Sequence, residues 1–282
     1  MVTKVSSLTQ RYAHLTIALT MIASSSAVAQ PTEAELQAAT KNPVANLVSV
    51  PFQNNTAFGI GPNNKSVNVL NIQPVIPFAL TDDINVITRT IMPLIYVPGS
   101  VEGLDVLPQG VGSGTEFGLG DINITAFLSP AHTTGVIWAV GPTLTIPTAT
   151  DSLLGSEKWS IGPSAVVLIQ PPDWTIGILA RQLWSFAGND DREDVSQGLI
   201  QPFINYDLED GWYLVTAPIV TVNWNADEGD RWTIPVGGGA GKLFRVGSRP
   251  INTSLQAYYN VEKPDLGPDW TLRFQVQLLF PK

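Results

Sequence analysis

Runs of β-prone residues separated by turn signals fill most of the chain, and no helical period persists after residue 46. The runs have about 11–16 residues, longer than the ~5–6 usual for soluble strands and suited to tilted strands that cross a bilayer, which need about 9–11. The runs are 47–59, 66–79, 84–96, 116–129, 134–148, 158–171, 173–187, 196–208, 211–225, 231–245, 250–264 and 270–280. This pattern predicts an all-β protein, an antiparallel transmembrane β-barrel of about 12 strands.

Side chains alternate in character within several runs. In the last run, Trp270, Leu272 and Phe274 share one face of a strand, whereas Arg273 and Gln275 share the other. A soluble barrel would place its apolar face inside, while a membrane barrel turns that face to lipid and its polar face to the lumen. We predict the membrane arrangement.

The connections between runs alternate in length. Short ones lie at 81–83, 129–133, 171–173, 207–211 and 245–250. Those between them are mostly longer, and 97–115 is the longest. Bacterial barrels have tight periplasmic turns and longer outer loops, and an even strand number places both termini in the periplasm.

Large aromatic side chains lie near the ends of the runs. Indole rings collect where hydrocarbon meets lipid headgroups, and they form two girdles around a membrane barrel. The predicted lipid-interface aromatics are Trp159, Trp174, Trp184, Trp212, Trp224, Trp232, Trp270 and Phe280.

The first residues have the three parts of a secretory signal peptide. Lys4 and Arg11 form a basic start, 15–23 is a short apolar run, and Ala27 and Ala29 give an A-x-A end. We therefore predict a signal peptide at 1–29, an N-terminal helical segment at 30–46 that is a candidate plug, and the barrel at 47–282. Export would place the protein in the cell outer membrane.

Composition narrows the class further. Of the residues, 44% are hydrophobic and 14% charged, and there is no cysteine, so packing and hydrogen bonds must hold the exported chain. Cleavage of the signal peptide lowers the formal charge of −9 by two further units. This acidity argues against a nucleic-acid partner, whose binding needs Lys and Arg on phosphate.

Charged residues within the runs indicate what fills the lumen. Because a charge on lipid at mid-depth costs roughly 2–4 kcal/mol, these side chains are expected to face inward with the amides that alternate beside them. The lumen-lining candidates are Arg89, Asp121, Asn123, Arg181, Gln201, Asn205, Asn223, Gln256, Arg273 and Gln275. They would either select solutes in a pore or fill a closed barrel with a hydrogen-bonded network.

Other motifs favour no chemistry. The segment 237–242 (GGGAGK) lacks the first glycine and the Ser or Thr of a phosphate loop, so a glycine-rich bend in the wall is expected. His132, the only histidine after the signal peptide, falls in a predicted periplasmic turn, away from any outer-leaflet active site. Acidic stretches at 190–194, 207–210 and 227–230 are expected to be solvated loops. We predict no enzyme, catalytic residue, metal or cofactor.

Several blocks of sequence resemble a bacterial family named for the MetA pathway of phenol degradation, whose members often carry the misleading label neuromedin U. The blocks are NIQPVIP (71–77), GLGD (118–121), QLWSFAG (182–188), QPFINY (201–206), GWYL (211–214), NW (223–224), WTIPVGGGAGK (232–242), QAYYNV (256–261) and WTLRFQVQLLFPK (270–282). The resemblance implies an outer-membrane barrel described as a transporter, and it transfers no catalytic or ligand residue.

Three functions remain open from the sequence. The first is an outer-membrane channel or transporter for small molecules, aromatic or apolar ones among them. The second is a closed structural or adhesive barrel, and the third is a soluble periplasmic β-protein. The expected partners are outer-membrane lipid and a small solute; the pattern names neither the solute nor an oligomeric state.

Overall fold

One antiparallel sheet that closes on itself contains most of the residues that the computed structural model describes, 32–99, 115–133 and 135–281. The last strand pairs along its whole length with residues 48–58 of the first strand, so the wall has no free edge. The elements are α1 Glu33–Lys41, β1 Val48–Ile60, β2 Lys65–Ile72, β3 Val75–Ala79, β4 Ile84–Val97, β5 Glu116–Leu119, β6 Ile122–Pro130, β7 Val136–Ile146, β8 Lys158–Ile169, β9 Trp174–Gly188, β10 Ser196–Asp207, β11 Trp212–Thr216, β12 Val220–Asn223, β13 Trp232–Val246, β14 Arg249–Glu262 and β15 Trp270–Phe280.

These strands form a barrel of twelve staves. Each stave is one strand, or two successive strands, that runs from one end of the barrel to the other. The predicted fold class and all twelve predicted runs are confirmed. Three staves consist of two strands each, β2 with β3, β5 with β6 and β11 with β12. Pro74 and Pro218 lie in two of the gaps, where a residue without an N–H ends the ladder locally.

The outside of the wall is apolar, as predicted, and polar side chains such as Arg273 face the inside. On β15, Phe274 is 48% exposed and its neighbour Arg273 only 6%. On β11, Trp212 and Leu214 are exposed, whereas Tyr213 is buried. Because alternate side chains point to opposite faces, the exposed apolar side chains cover the outer surface, which is the arrangement of a transmembrane barrel.

The two ends of the barrel differ. The connections 80–83, 131–135, 170–173, 208–211 and 247–248 share one end, which we call the short-turn end. β1 begins and β15 ends there. The opposite, long-loop end has the described connections 61–64, 147–157, 189–195, 224–231 and 263–269, and β4 ends there. No helix within the described ranges is long and apolar enough to cross a bilayer.

The N-terminal helix begins with a capping box. The Thr32 hydroxyl accepts the Glu35 N–H, and the Glu35 carboxylate accepts the Thr32 N–H at 2.8 Å. The helix ends at Lys41, and Asn42-Pro43 follows because a proline disfavours a helical residue before it. Leu36 is buried against three leucines, Leu47 beside the first stave and Leu243 and Leu279 on the wall. This packing holds α1 at the short-turn end.

Candidate functional site: the barrel lumen

A cavity of about 170 Å³ lies inside the barrel, between the N-terminal segment and the wall. Lys41, Asn42 and Pro43 border it on the side of the segment. From the wall, β1, β4, β9, β10, β14 and β15 all contribute side chains to it. The cavity is therefore built by residues that are far apart in sequence and meet only when the barrel closes.

One side of the lumen is apolar. Phe203 and Leu179 border the cavity and pack with further buried side chains toward the short-turn end, and Val44 of the N-terminal segment completes the cluster. We call this surface the apolar wall; its wall residues are Val75, Ile87, Phe127, Ala139, Val166, Leu168, Leu179 and Phe203. Packing rather than hydrogen bonding holds this side of the lumen.

The other side of the lumen is polar, and its side chains bond to one another. Asn252 donates its amide N–H to Gln277 at 3.3 Å and accepts the Tyr213 hydroxyl at 2.9 Å. Gln256 donates to the Ser254 hydroxyl at 3.0 Å. We call this surface the polar wall; its residues are Gln53, Asn252, Ser254, Gln256, Arg273, Gln275 and Gln277, all of which line the cavity.

Three arginines point into the lumen. Arg89 donates to the Gln73 amide oxygen at 2.6 Å, and Arg181 donates to Asn123 at 2.9 Å. Arg273 donates through Nε to Asn55 at 2.9 Å, and its guanidinium lies 4.9 Å from the centre of the Tyr258 ring. Arg89 is close enough to repel both other guanidinium charges.

Among the described residues, no carboxylate forms an ion pair with these arginines. In the part of the chain that the structure describes, the ion pairs join Lys41 to Asp207, Lys158 to Asp194 and Lys263 to Asp269. The arginine bonds there go to neutral amide and backbone oxygens. The lumen therefore carries concentrated positive charge inside a protein whose net charge is −9.

The backbone between β11 and β12 forms hydrogen bonds to side chains in the lumen rather than to a neighbouring strand. The Ala217 N–H donates to the Tyr258 hydroxyl at 2.9 Å, and the Ala217 carbonyl accepts from Arg273 at 2.9 Å. These bonds satisfy backbone groups that the break at Pro218 frees. Arg273 thus links the ninth stave to the twelfth across the lumen.

At the long-loop end, the connection 147–157 folds over the barrel opening. Asp121 accepts the Ala149 N–H at 3.2 Å and the Ser156 N–H at 2.7 Å. Leu154 is 1% exposed and packs against Ile60 and residues of β2 and β4. The Asp121 carboxylate therefore holds a loop and does not face the central cavity.

The structure brings most of the predicted lumen residues together. Those that line the cavity are Arg89, Gln201, Asn205, Gln256, Arg273 and Gln275. Arg181 and Asn223 border a second, smaller hollow, and Asn123 bonds to Arg181. The segment 30–46 was predicted as a candidate plug, and its residues 39–43 border the cavity, whereas the apolar wall was not predicted. A signal for the apolar wall was present, since the runs 158–171 and 173–187 carry apolar residues on both faces.

The predicted interface aromatics lie on the outer surface at both ends. Trp174, Trp212 and Phe280 are exposed near the short-turn end, with Lys242 4.8 Å from the Trp212 ring and Arg249 5.1 Å from that of Phe280. At the long-loop end the members are Trp159, Trp184, Trp224, Trp232 and Trp270. Trp232 is half-buried because it packs edge-on against Trp224, at 5.8 Å between rings.

The glycine-rich segment and His132 occupy positions that the fold explains. Gly241, in the glycine-rich segment, leaves room for the Tyr213 ring, which a Cβ at that position would overlap. His132 is exposed in the turn between β6 and β7. Within 32–99, 115–133 and 135–281, no three His, Cys, Asp or Glu side chains are grouped to hold a metal ion. The predicted signal peptide lies outside the described residues, as does most of the predicted loop 97–115.

The fold defines a transmembrane β-barrel protein, and one solved structure superposes well enough to share this architecture. An outer-membrane channel from Pseudomonas putida F1 superposes with a TM-score of 0.62 at 18% identity, over 83% of this chain and 94% of that one. The outer-membrane phospholipases of Salmonella typhi and Escherichia coli are 12% identical, with TM-scores of 0.43 and 0.44; they cover 85% and 82% of this chain and 94% and 89% of their own. No family model and no curated protein sequence matches the chain.

Proposed function

We propose that this protein is an outer-membrane channel for small solutes, aromatic or apolar ones among them, and a relative of the family named for the MetA pathway of phenol degradation. The observation that carries the proposal is the lumen cavity, enclosed by a closed wall whose outside suits lipid and whose inside offers polar and apolar surfaces. The channel from Pseudomonas putida F1 shares the barrel fold and supports the proposal by analogy.

Two measurements test location and transport. Outer-membrane fractions should contain the protein in a form that migrates as folded in SDS until heated. Purified protein in liposomes should admit small neutral solutes and cause swelling. Release into the soluble periplasm without detergent would contradict the membrane assignment, and liposomes that never swell would contradict the channel.

A closed structural barrel is the second candidate, because α1 obstructs the short-turn end. Gln37 donates to Asp207 at 2.7 Å, and Gln170 donates to the Ala38 carbonyl at 2.8 Å. Together with the leucine contacts of Leu36, these bonds tie the helix to the wall. We therefore propose that the segment 30–46 is a plug that sets the conductance of the channel.

Displacing the helix distinguishes the two candidates. Leu36→Asp places a charge at a position that is 2% exposed, which should drive α1 out of its site. Single-channel conductance and liposome swelling should rise, while the heat-modifiable barrel persists. Glu33→Gln, an exposed change on the same helix, is the control and should leave both unchanged. A folded Leu36→Asp barrel with unchanged conductance would favour the closed barrel.

We also propose that the protein is not an enzyme. The only histidine of the mature chain is exposed in a short turn, far along the stave from the long-loop end where an outer-leaflet hydrolase would work. Purified protein should release no product from phospholipid or from nitrophenyl esters, with and without calcium. Turnover above that of a heat-denatured sample would contradict the proposal.

A further inference from the structure

We propose that the lumen cavity is a binding site for a carboxylate with an apolar body, a small aromatic acid being the simplest example. This deepens the proposed channel function by naming a chemical class of solute, and it rests on that function. Arg89 and Arg273 are far apart in the sequence but border the same cavity. Two guanidinium groups without a carboxylate partner among the described residues favour an anion between them.

Both guanidinium groups have more N–H donors than the hydrogen bonds they form with described residues. A guanidinium has five N–H donors in a planar fork that suits a carboxylate. Arg89 gives a hydrogen bond to Gln73, and Arg273 gives bonds to Asn55 and Ala217. The acceptors are neutral, so these bonds fix the direction of each group without neutralising its charge. Buried in the lumen, this charge is screened far less by salt than charge on the surface.

The apolar body of the solute would contact the apolar wall, which begins beside Arg89, since Val75 is the cross-strand partner of that arginine. Leu179, Phe203 and Val75 of the apolar wall border the cavity that the arginines border. An apolar protein cavity of about 150 Å³ accepts benzene, so a cavity of about 170 Å³ has room for one aromatic ring. A solute with an apolar body and one negative end satisfies both surfaces at once, whereas an inorganic anion satisfies only one.

Binding to the purified, detergent-solubilised mature chain tests this directly. Isothermal titration with benzoate, with the uncharged analogue benzamide and with acetate separates charge from apolar contact. At low salt we expect benzoate to bind about ten-fold more tightly than benzamide, since hydrogen bonds to charged groups are stronger than neutral ones. Benzoate should also bind more tightly than acetate, because only benzoate reaches the apolar wall.

The variant Arg89→Gln/Arg273→Gln should lose the preference for benzoate over benzamide. Arg249→Gln, at the exposed start of β14, removes the same charge from the outer face, where Arg249 lies 5.1 Å from the centre of the Phe280 ring, and should keep the preference. Heat-modified migration establishes that each variant is folded, and the single variants replace the double one if it is not. Equal binding of benzoate and benzamide by the wild type, or a preference that survives in the folded variants, would overturn the proposal. Swelling with neutral solutes tests the channel separately, so the two can fail independently.

Discussion

The polar wall and the apolar wall enclose the same lumen, yet they are built on different principles. On the polar wall, Gln256, Asn252 and Arg273 donate hydrogen bonds to neighbouring side chains and line the cavity. On the apolar wall, Phe127, Leu168 and Phe203 pack against one another and against Val44. The polar wall can change its bonding partners when a solute arrives, whereas the apolar wall offers a fixed shape. We infer that the apolar wall contributes mainly to stability and the polar wall mainly to selectivity.

The largest effect should come from truncating the apolar wall. Phe203→Ala should lower the free energy of unfolding by about 3–5 kcal/mol, because it removes a buried ring and leaves a void. Gln256→Ala on the polar wall should cost only about 1 kcal/mol, since water in the cavity can replace the lost bonds. Urea titration of each variant in lipid vesicles measures both. Equal losses would erase the distinction between the walls.

On the outer surface, substitutions should cost the same stability on both sides of the barrel. Ile200 is on the outer face of β10, whose inner face contributes to the apolar wall, and is 39% exposed. Phe274 is on the outer face of β15, whose inner face contributes to the polar wall, and is 48% exposed. Each faces lipid near the middle of its strand, so replacement by arginine should cost roughly 2–4 kcal/mol in both cases. The same vesicle titration applies. A near-zero cost at either position would show that its side chain does not meet hydrocarbon.

A smaller effect is expected on ion selectivity. With three guanidinium groups and no described carboxylate partner, the lumen should pass chloride in preference to potassium. The reversal potential of the wild-type channel in a potassium chloride gradient should show this preference, and Arg181→Gln should reduce it a few-fold. A few-fold change corresponds to less than about 1.4 kcal/mol. A cation-selective wild-type channel would contradict the role given to the arginines.

Sequence patterns predicted the wall better than its contents. Strict alternation in β15 placed Arg273 inside and Phe274 outside, because the period of a strand fixes its two faces. Alternation gave no inward face for Leu168, because its run is apolar on both faces. Phe203 shares a face with Gln201 and Asn205 and is therefore expected inside, but its contact with Val44 depends on how the barrel closes. The prolines occupy two kinds of position. Pro74 and Pro218 lie where a stave is interrupted between two strands, whereas Pro142 and Pro163 lie opposite each other inside unbroken strands. Contacts that depend on barrel closure, such as Arg273 with Ala217, have no local signal.

The smallest effect concerns α1, which lies at the short-turn end beside the cavity that both walls enclose. Hydrogen bonds from the Thr32 backbone and hydroxyl lower the pKa of Glu35 below its ordinary value, because they favour the carboxylate. The stabilisation that Glu35 gives to α1 is therefore fully present above the unfolded pKa of about 4.3 and is lost as pH falls through the lower folded value. Hydrogen exchange of residues 33–41, compared at equal pH, should be a few-fold faster in Glu35→Gln than in the wild type at pH 6. The difference between the two proteins should shrink as pH falls through the folded pKa of Glu35, because protonation makes its side chain neutral like that of glutamine. A difference that does not shrink on acidification would mean that the glutamate acts through packing and not through its charge.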